Sequence, residues 1–217
     1  MNTENRPRYL VVEGPIGVGK TSLARRLAAH FDSDLVLEQA EENPFLERFY
    51  RDPKHFALPA QLFFLFQRAR QIQAMRQDDL FAPVRVADFL LEKDALFAEL
   101  TLAPDELALY RQTYDHLAID APTPDLVVYL QAPADVLMRR VHKRGIGYEQ
   151  EIEPSYLEKL ADAYTRFFHN YNASPLLIVN AREINPVDRD ADFQQLLRAV
   201  ESAKSGRHYF NPVPDFA

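Results

Sequence analysis

The sequence predicts an α/β fold in which a parallel sheet of about five strands is covered by helices on both faces. Short apolar runs rich in β-branched residues alternate along the chain with longer segments that are apolar at helical spacing. A glycine-rich turn joins the first apolar run directly to the first helical segment. This alternation predicts parallel strands, because each crossover helix buries its apolar face on the sheet that it connects.

Each element follows from a local pattern. Continuous apolar runs predict strands over residues 8–13, 35–37, 84–87, 125–130 and 176–180. Apolar residues at helical spacing predict helices over residues 21–30, 56–76, 89–100, 105–118, 134–141, 154–171 and 190–203. A further helix is predicted to begin at Asn43 and Pro44, since asparagine is a common N-cap and proline suits the first helical position.

One domain is predicted to cover residues 1–217, with its core at about residues 8–203 and a peripheral tail at residues 204–217. No internal repeat or linker-like segment interrupts the alternation of strands and helices. Two glycines in residues 144–147 predict a break between two of the helices.

The composition is that of a globular protein. Of its 217 residues, 47% are hydrophobic and 26% are charged, and the net charge is −7. An acidic chain is a poor candidate for broad nucleic-acid binding, which needs basic surface. No apolar run approaches the ~18 residues that span a bilayer, and residues 1–8 lack the apolar core of a secretion signal. Without cysteine there is no disulfide or thiolate metal site. We therefore expect a cytoplasmic protein that binds neither nucleic acid nor membranes.

The turn after the first predicted strand is a phosphate-binding loop. Residues 14–21 read GPIGVGKT and match the pattern G-x-x-x-x-G-K-[ST]. Small residues let backbone N–H groups converge on phosphate oxygens, and the next helix presents its positive N-terminus to them. The pattern predicts that Lys20 reaches the β- and γ-phosphates of ATP and that the Thr21 hydroxyl ligates Mg²⁺. The residues predicted to bind ATP here are Gly14, Pro15, Ile16, Gly17, Val18, Gly19, Lys20, Thr21 and Ser22.

Several further segments, in matching order and spacing, resemble the deoxyribonucleoside kinase family between about residues 9 and 160. They are EQAEENPFL at residues 38–46, LQAP at residues 130–133, RRVHKRG at residues 139–145 and YLEKL at residues 156–160. Residues 41–46 and 87–89 are most similar to the bacterial branch that acts on purine deoxyribonucleosides. The resemblance implies a P-loop kinase fold with a short arginine-bearing lid. It also implies transfer of the γ-phosphate of ATP to the 5′-hydroxyl of deoxyadenosine or deoxyguanosine in deoxynucleotide salvage, by a homodimer packed through helices.

Three residues are assigned by this resemblance to the sugar and its reacting hydroxyl. Glu38 follows the second predicted strand, at the carboxyl edge where parallel sheets bind ligands. It corresponds to the family's catalytic glutamate, either as general base or as hydrogen-bonding orienter of the 5′-hydroxyl. Tyr50 falls where the family keeps a tyrosine under the sugar, although a core position suits it equally. Glu149 matches the glutamate that holds the 3′-hydroxyl.

A second group of residues is predicted to recognise the base. Gln61 and Arg68 are seven residues apart, so they lie on one face of the predicted helix. They are similar to the glutamine and arginine with which the family reads the base. Phe64 lies on the same face and suits base stacking, although phenylalanines at helical spacing are more often core. Phe97 is expected to help set the width of this pocket.

The chain departs from the family pattern after the third predicted strand. Residues 87–89 read ADF where many members have an acidic residue followed by arginine and serine. Asp88 still supplies a carboxylate for Mg²⁺, but the arginine is absent. The alignment beyond it leaves either Lys93 or Asp94 at the next base-side position. An acidic group there would engage Arg68, whereas a lysine would repel it.

A basic cluster at residues 139–144 is predicted to form the lid. Arg140 and Arg144 are spaced i,i+4, so both can close over the phosphates, and Arg144 is expected to contact ATP. Arg139 is expected at the surface, and Ile146 replaces an arginine that relatives often carry. The residues predicted to act in catalysis are therefore Lys20, Glu38, Arg140 and Arg144.

Two other functions stay open at this point. A nucleoside monophosphate kinase, such as a thymidylate kinase, shares the phosphate loop and an arginine lid. It needs extra cations for the acceptor phosphate, and residues 38–68 supply few of them, namely Arg48, Arg51, Lys54 and Arg68. A non-catalytic ATP-binding regulatory protein needs no acceptor pocket, and the predicted carboxylate and glutamine argue against it.

Overall fold

Six parallel strands form one sheet in the computed structural model, which describes residues 7–77, 84–117 and 119–211. In chain order they are β1 (Tyr9–Glu13), β2 (Asp34–Val36), β3 (Arg85–Ala87), β4 (Leu126–Gln131), β5 (Leu176–Asn180) and β6 (Arg207–Phe210). Across the sheet the order is β2-β3-β1-β4-β5-β6, and every neighbouring pair is parallel. The five predicted strands and their parallel arrangement are confirmed.

The described part of the chain contains eight α-helices. They are α1 (Lys20–Phe31), α2 (Leu46–Arg51), α3 (Pro53–Gln77), α4 (Lys93–Thr101), α5 (Pro104–Leu117), α6 (Ala134–Arg144), α7 (Pro154–Asn170) and α8 (Asp190–Ser202). Two short 3₁₀ helices lie at Ala40–Glu42 and Gly147–Glu151. The predicted helices are present with shifted ends, and Ala118, where one was predicted to end, lies outside the described residues. None of these helices has the length and apolar character needed to cross a membrane.

The segment predicted as a peripheral tail contributes a strand to the sheet. β6 pairs with β5 along its whole length. The Arg207 guanidinium also donates to three backbone carbonyls at the C-terminal end of α7. The predicted peripheral tail thus includes the edge strand Arg207–Phe210, which was not predicted, while residues 212–217 lie outside the described residues. β6 reads RHYF, which contains no continuous apolar run, and Tyr209 is 66% exposed, so hydrophobic periodicity does not reveal this strand.

The helix predicted to begin at Asn43 and Pro44 begins two residues later. The Asn43 side chain accepts a hydrogen bond from the Phe45 N–H at 3.0 Å and donates one to the Ala60 carbonyl at 3.1 Å. Asparagine therefore forms a local turn that is tied to α3, and α2 begins at Leu46.

The helix predicted over residues 89–100 also begins later, at Lys93. The backbone N–H of Leu90 donates at 2.8 Å to the carboxylate of Glu13, which is fully buried at the end of β1. Residues 89–92 thus cross the end of the sheet in a turn before α4 starts.

The carboxyl edge of the sheet brings several acidic residues together. Fully buried side chains of β1, β4, α1 and α7 form the adjoining core, among them Val11, Val127, Leu23 and Leu157. Because neighbouring parallel strands end at the same edge, Glu38, Asp88 and Glu13 lie side by side at the ends of β2, β3 and β1. Ligands of open parallel sheets bind at this edge.

Candidate active site

The phosphate loop lies between β1 and α1, which is the predicted context. Gly17 has a φ of +83°, and a Cβ there would lie 2.8 Å from the carbonyl oxygen of Leu137. A side chain would collide with α6, so only glycine fits. Gly19, with a φ of +104°, is the N-cap of α1. The loop therefore leads directly into the positive end of a helix.

A cavity of about 560 Å³ opens over this loop. Its walls come from the loop, the residues after β2 and β3, the segment around the end of α6, and residues 181–189 after β5. Predicted site residues that line it are residues 16–22, Glu38, Asp88, Arg140, Arg144 and Glu149. One cavity thus contains both the predicted phosphate site and the predicted catalytic glutamate.

Lys20 lies in this cavity close to the backbone of its own loop. Its ammonium donates a hydrogen bond to the Pro15 carbonyl at 3.4 Å. Burial lowers the pKa of Lys20, and the negative charge of Glu13 partly opposes this effect. An anion at the same place would stabilise the charged ammonium further. Lys20 is therefore suited to receive a phosphate group.

Asp88 joins the phosphate loop to the predicted catalytic glutamate. One of its carboxylate oxygens accepts a hydrogen bond from the Thr21 hydroxyl. The other accepts one from the backbone N–H of Glu38 at 2.7 Å. Thr21 and Asp88 thus present adjacent oxygen ligands, and Mg²⁺ in phosphotransferases commonly takes one or two such protein ligands together with substrate phosphates. The two residues fit the predicted metal site.

Glu38 is a carboxylate surrounded by positive charge. It pairs with the Arg68 guanidinium, and the Lys93 ammonium lies 3.3 Å from Oε1 and 3.4 Å from Oε2. Burial raises the pKa of Glu38, but Arg68, Lys93 and Lys20 outweigh this effect and lower the pKa from 4.5 to about 2. Glu38 is therefore ionised at any pH near neutrality.

The two candidates for the next base-side position have different partners. Asp94 pairs with Arg68, as predicted for an acidic residue at that position. Lys93 instead lies between Glu38 and Glu13, with its Nζ 3.5 Å from Oε2 of Glu13. Both side chains are almost completely buried. Asp94 therefore accompanies the base-side arginine, whereas Lys93 accompanies the glutamate expected to hold the reacting hydroxyl.

The face of α3 that was predicted to read the base combines one amide with a stacked cation. Gln61 is 5% exposed, and none of the hydrogen bonds within residues 7–77, 84–117 and 119–211 involves its amide. The Arg68 guanidinium lies over the Phe64 ring at 5.2 Å from its centroid. Phe97 makes an edge contact with Tyr164 at a centroid distance of 6.1 Å. The base-reading roles of these residues stay predictions.

The residues predicted to hold the sugar meet beside the lid. The rings of Tyr50 and Tyr148 stack with centroids 6.1 Å apart. Because Tyr148 directly precedes Glu149 in the sequence, this contact brings Tyr50 close to Glu149. Burial raises the pKa of the Tyr50 phenol, and Tyr156 and Glu149 add to the effect. Tyr50 is therefore a neutral hydrogen-bond donor. Glu149 is buried and pairs with Arg144.

The lid begins where α6 ends. Gly145 caps this helix with a φ of +72°, and the short 3₁₀ helix at Gly147–Glu151 follows. Arg144 is the last helical residue, is 45% exposed in its side chain and reaches Glu149 across the turn. The predicted break and the basic end of α6 are confirmed, and the phosphate-binding role of Arg144 stays a prediction.

The other two arginines of the cluster differ in their surroundings. Arg140 donates to the Val18 carbonyl of the phosphate loop at 3.1 Å and to the Ala181 carbonyl after β5 at 2.7 Å. It thus connects two walls of the cavity, in addition to any contact with phosphate. The side chain of Arg139 is 73% exposed and pairs with Asp135 at 3.5 Å, which confirms its surface position.

Sequence reasoning missed Glu13. Its carboxylate accepts hydrogen bonds from the Gly14 and Leu90 N–H groups at 2.8 Å each and from the Tyr164 hydroxyl at 3.0 Å. A glutamate that ends a predicted buried strand is itself a signal, because glutamate is almost never fully buried without partners.

Residues 181–189 were also missed, although they line the cavity. Arg26 of α1 fixes this segment by donating to the carbonyls of Pro186 and Val187 at 3.0 Å each and to Asp190 at 2.6 Å. The segment follows β5 at the carboxyl edge of a parallel sheet, where ligands bind, and this position could have identified it as part of the site.

Two glutamines of α3 hold the backbone around Glu38. Gln71 donates to the Leu37 carbonyl at 2.8 Å, and Gln67 donates to the Gln39 carbonyl at 3.2 Å. The residues on both sides of Glu38 are therefore tied to one helix. Their spacing of four places them on the same helical face, but polar residues on a long helix are too common to indicate this role.

Known proteins resemble this chain over most of its length. A family model described as Deoxynucleoside kinase matches residues 10–204. A deoxyguanosine kinase from Bacillus subtilis (strain 168) is 38% identical over 162 residues, covering 74% of this chain and 78% of that protein. A deoxyadenosine kinase from Lactobacillus acidophilus is 30% identical over 209 residues, covering 89% of this chain and 95% of that protein.

A solved structure has the same fold. A deoxyadenosine kinase from M. mycoides with bound dATP matches with a TM-score of 0.77 at 22% identity, covering 90% of this chain and 100% of that one.

By contrast with the deoxynucleoside kinases, a probable thymidylate kinase from Saccharolobus solfataricus is only 23% identical in sequence, over 197 residues. Because the family model spans most of the sequence and two relatives reach 30% identity or more, this chain belongs to the deoxynucleoside kinase family.

Proposed function

We propose that this protein transfers the γ-phosphate of ATP to the 5′-hydroxyl of a deoxyribonucleoside. The observation that carries the proposal is the single cavity in which the phosphate loop and Glu38 meet. Asp88 binds both the Thr21 hydroxyl and the Glu38 backbone, so the donor and acceptor sides are held at a constant separation. Phosphoryl transfer depends mainly on such alignment and on neutralisation of charge. Family membership supports the same activity.

The donor side neutralises the charge of the phosphates. Lys20 contacts the β- and γ-phosphates from the loop, and Thr21 and Asp88 hold Mg²⁺. The ion held there would supply positive charge that offsets the negative charge of the transferred group. Arg144 exchanges its contact with Glu149 for a phosphate oxygen when ATP binds. A second cation then faces the transferred group only in the liganded enzyme.

Glu38 orients the acceptor hydroxyl. Since its pKa is about 2, it is always an acceptor for the hydrogen bond of the 5′-hydroxyl. A carboxylate this acidic is a weak base, so it takes the proton from the hydroxyl late, when the bond to phosphorus has formed, the bond from phosphorus to ADP has broken and the oxygen has become acidic. Orientation is therefore its main contribution. The loose transition state of phosphoryl transfer makes little demand on a base.

The sugar and base are recognised on either side of Glu38. Tyr50 and Glu149 bind the 3′-hydroxyl, and the tyrosine ring leaves little room for a 2′-hydroxyl. The Gln61 amide, which makes no hydrogen bond to the described part of the chain, offers donors and an acceptor to the edge of a purine, beside the pair of Arg68 and Asp94. Purine preference is supported by relatives named as deoxyguanosine and deoxyadenosine kinases.

The proposed assembly is a cytoplasmic homodimer that packs through α3 and α5. These helices contact each other and carry two large apolar side chains at the surface, Phe66 at 44% exposure and Leu109 at 50%. Burial of both in a second copy would remove apolar area from water. Light scattering at increasing protein concentration measures this directly. A monomer throughout the micromolar range contradicts the dimer.

A panel of acceptors tests the proposed activity. Deoxyadenosine, deoxyguanosine, deoxycytidine, thymidine and dTMP are each incubated with ATP and Mg²⁺, and formation of ADP is followed. We expect phosphorylation of deoxyribonucleosides, with higher kcat/KM for the purines. A preference for dTMP identifies a monophosphate kinase, and ATP binding without phosphorylation of any acceptor identifies a regulatory protein. A pyrimidine that exceeds both purines overturns the base preference alone.

A further inference from the structure

Lys93 carries a positive charge where a lysine is ordinarily disfavoured. It is 2% exposed, and it is the first residue of α4. Burial disfavours an ammonium group without partners, and the N-terminus of a helix repels a cation. Two carboxylates offset these costs, since Nζ lies 3.5 Å from Glu13 and 3.3 Å from Glu38. The lysine is therefore held between the last residue of β1 and a residue that follows β2.

Glu13 is the fixed end of this arrangement. It is completely buried, and the Gly14 N–H, the Leu90 N–H and the Tyr164 hydroxyl all donate to its carboxylate. Gly14 is the first residue of the phosphate loop. A cation bound to Glu13 therefore keeps a constant position relative to the phosphates.

Glu38 is the end that can move. Its side chain is 19% exposed and lines the cavity. Arg68 holds it from α3, and Lys93 holds it from α4 with contacts to both carboxylate oxygens. One arginine alone would leave the carboxylate free to rotate about that contact. Two cations from different helices restrict it to one orientation.

We propose that Lys93 is a positioning residue, which ties the Glu38 carboxylate to the phosphate loop through Glu13. This inference rests on the proposed transfer to a hydroxyl that Glu38 holds. The link aligns that hydroxyl with the γ-phosphate, and alignment is the main requirement of the reaction.

Other charged groups near this link have different partners. Those facing Glu13, Lys93 and Glu38 from neighbouring elements are Lys20, Arg68, Asp88, Glu92, Asp94 and Tyr164. Arg68 is shared with Asp94, and Lys20 is the proposed phosphate ligand. Without the charge of Lys93, the carboxylates of Glu13 and Glu38 repel each other. Glu38 then shifts towards Arg68 and away from the hydroxyl.

The first test replaces Lys93 with methionine, which has a similar length and no charge. In the full-length protein with saturating ATP and Mg²⁺, we expect kcat for the preferred deoxyribonucleoside to fall by about 10²-fold, because a misplacement of about 1 Å costs that much. The nucleoside KM should change less than about 3-fold, since base and sugar contacts are retained. Lys159→Met, the same substitution at an exposed position of α7, is the matched control and should retain wild-type kcat.

A double-mutant cycle distinguishes positioning from a general effect on folding. In a Glu38→Gln background, Lys93→Met should lower kcat by less than about 3-fold, because the group it positions has already been removed. If Lys93→Met alone does not fold, Glu13→Gln/Lys93→Met removes one charge of each sign, and the same loss of kcat is expected.

The outcomes separate this inference from the proposed function. A wild-type protein that phosphorylates no deoxyribonucleoside refutes the proposed function, and this inference with it. An active wild type whose folded Lys93→Met variant, or charge-balanced double variant, keeps its kcat refutes the inference alone. Equal losses from Lys93→Met in the wild-type and Glu38→Gln backgrounds also refute it, because the two residues then act independently.

Discussion

Replacement of Glu38 with glutamine should change how the stability of the unliganded protein depends on pH. The folded pKa of this carboxyl is about 2, and its ordinary value is 4.5. Each pKa unit corresponds to about 1.4 kcal/mol, so ionisation of Glu38 contributes about 3 kcal/mol to the free energy of unfolding. Because the folded pKa is depressed, this contribution is fully present above pH 4.5. It is lost as the pH falls towards 2.

The glutamine variant lacks this contribution at every pH. We expect it to be less stable than the wild type by about 3 kcal/mol at neutral pH. The gap should shrink by about 1 kcal/mol at pH 3.5, where the unfolded wild-type chain is largely protonated at this position and the folded protein is not. Other titrating groups are common to both proteins, so their effects cancel in the difference.

Urea unfolding followed by circular dichroism, at several pH values between 7 and 3.5, measures the gap directly. Glu158→Gln removes an exposed carboxylate of α7 and should follow the wild-type curve. Wild-type and Glu38→Gln curves that stay parallel across this range would show that Arg68 and Lys93 do not stabilise the ionised carboxylate.

Three further predictions concern the reaction. Lys20→Ala should lower kcat/KM by at least about 10³-fold without changing the melting temperature, because the loop loses its main cation; near-normal turnover in a folded variant contradicts the assignment. Adenosine should have a lower kcat/KM than deoxyadenosine because Tyr50 leaves little room for its 2′-hydroxyl, and 2′,3′-dideoxyadenosine should have a lower value because Glu149 loses its hydrogen bond to the 3′-hydroxyl. Equal values for the three nucleosides rule out these roles. Arg26→Ala should raise the KM for ATP about 10-fold with kcat nearly unchanged, because residues 181–189 lose the hydrogen bonds that Arg26 donates to their backbone. An unaltered KM means that this segment does not bind the nucleotide.

Local patterns were sufficient to predict most of the fold and the phosphate loop. Continuous apolar runs identify strands that are buried on both faces, and residues 14–21 form a motif whose chemistry is contained in a single turn. β6 was not predicted, because its stability comes from its pairing with β5 and from the contacts of Arg207 with the end of α7. Neither of these leaves a periodic pattern in the sequence.

The choice between Lys93 and Asp94 required the structure. Neighbouring residues on a helix point about 100° apart, so the rotation of α4 about its axis determines which of them reaches Arg68. The turn that leads into α4 is held by a hydrogen bond between Leu90 and Glu13, which are far apart in sequence. The partners of Arg140 could not be predicted from the sequence either, since both are backbone carbonyls whose positions are defined only in the folded chain.

The double role of Asp88 limits how this enzyme can change. One of its carboxylate oxygens accepts a hydrogen bond from Thr21, the proposed metal ligand, and the other accepts one from the backbone of Glu38, the proposed acceptor carboxylate. A longer side chain, as in Asp88→Glu, would displace Thr21 and Glu38 together. If the side chains of α3 and α4 read the base as proposed, new acceptor specificity is more accessible through them than through Asp88, where one substitution disturbs the donor and acceptor sides at once.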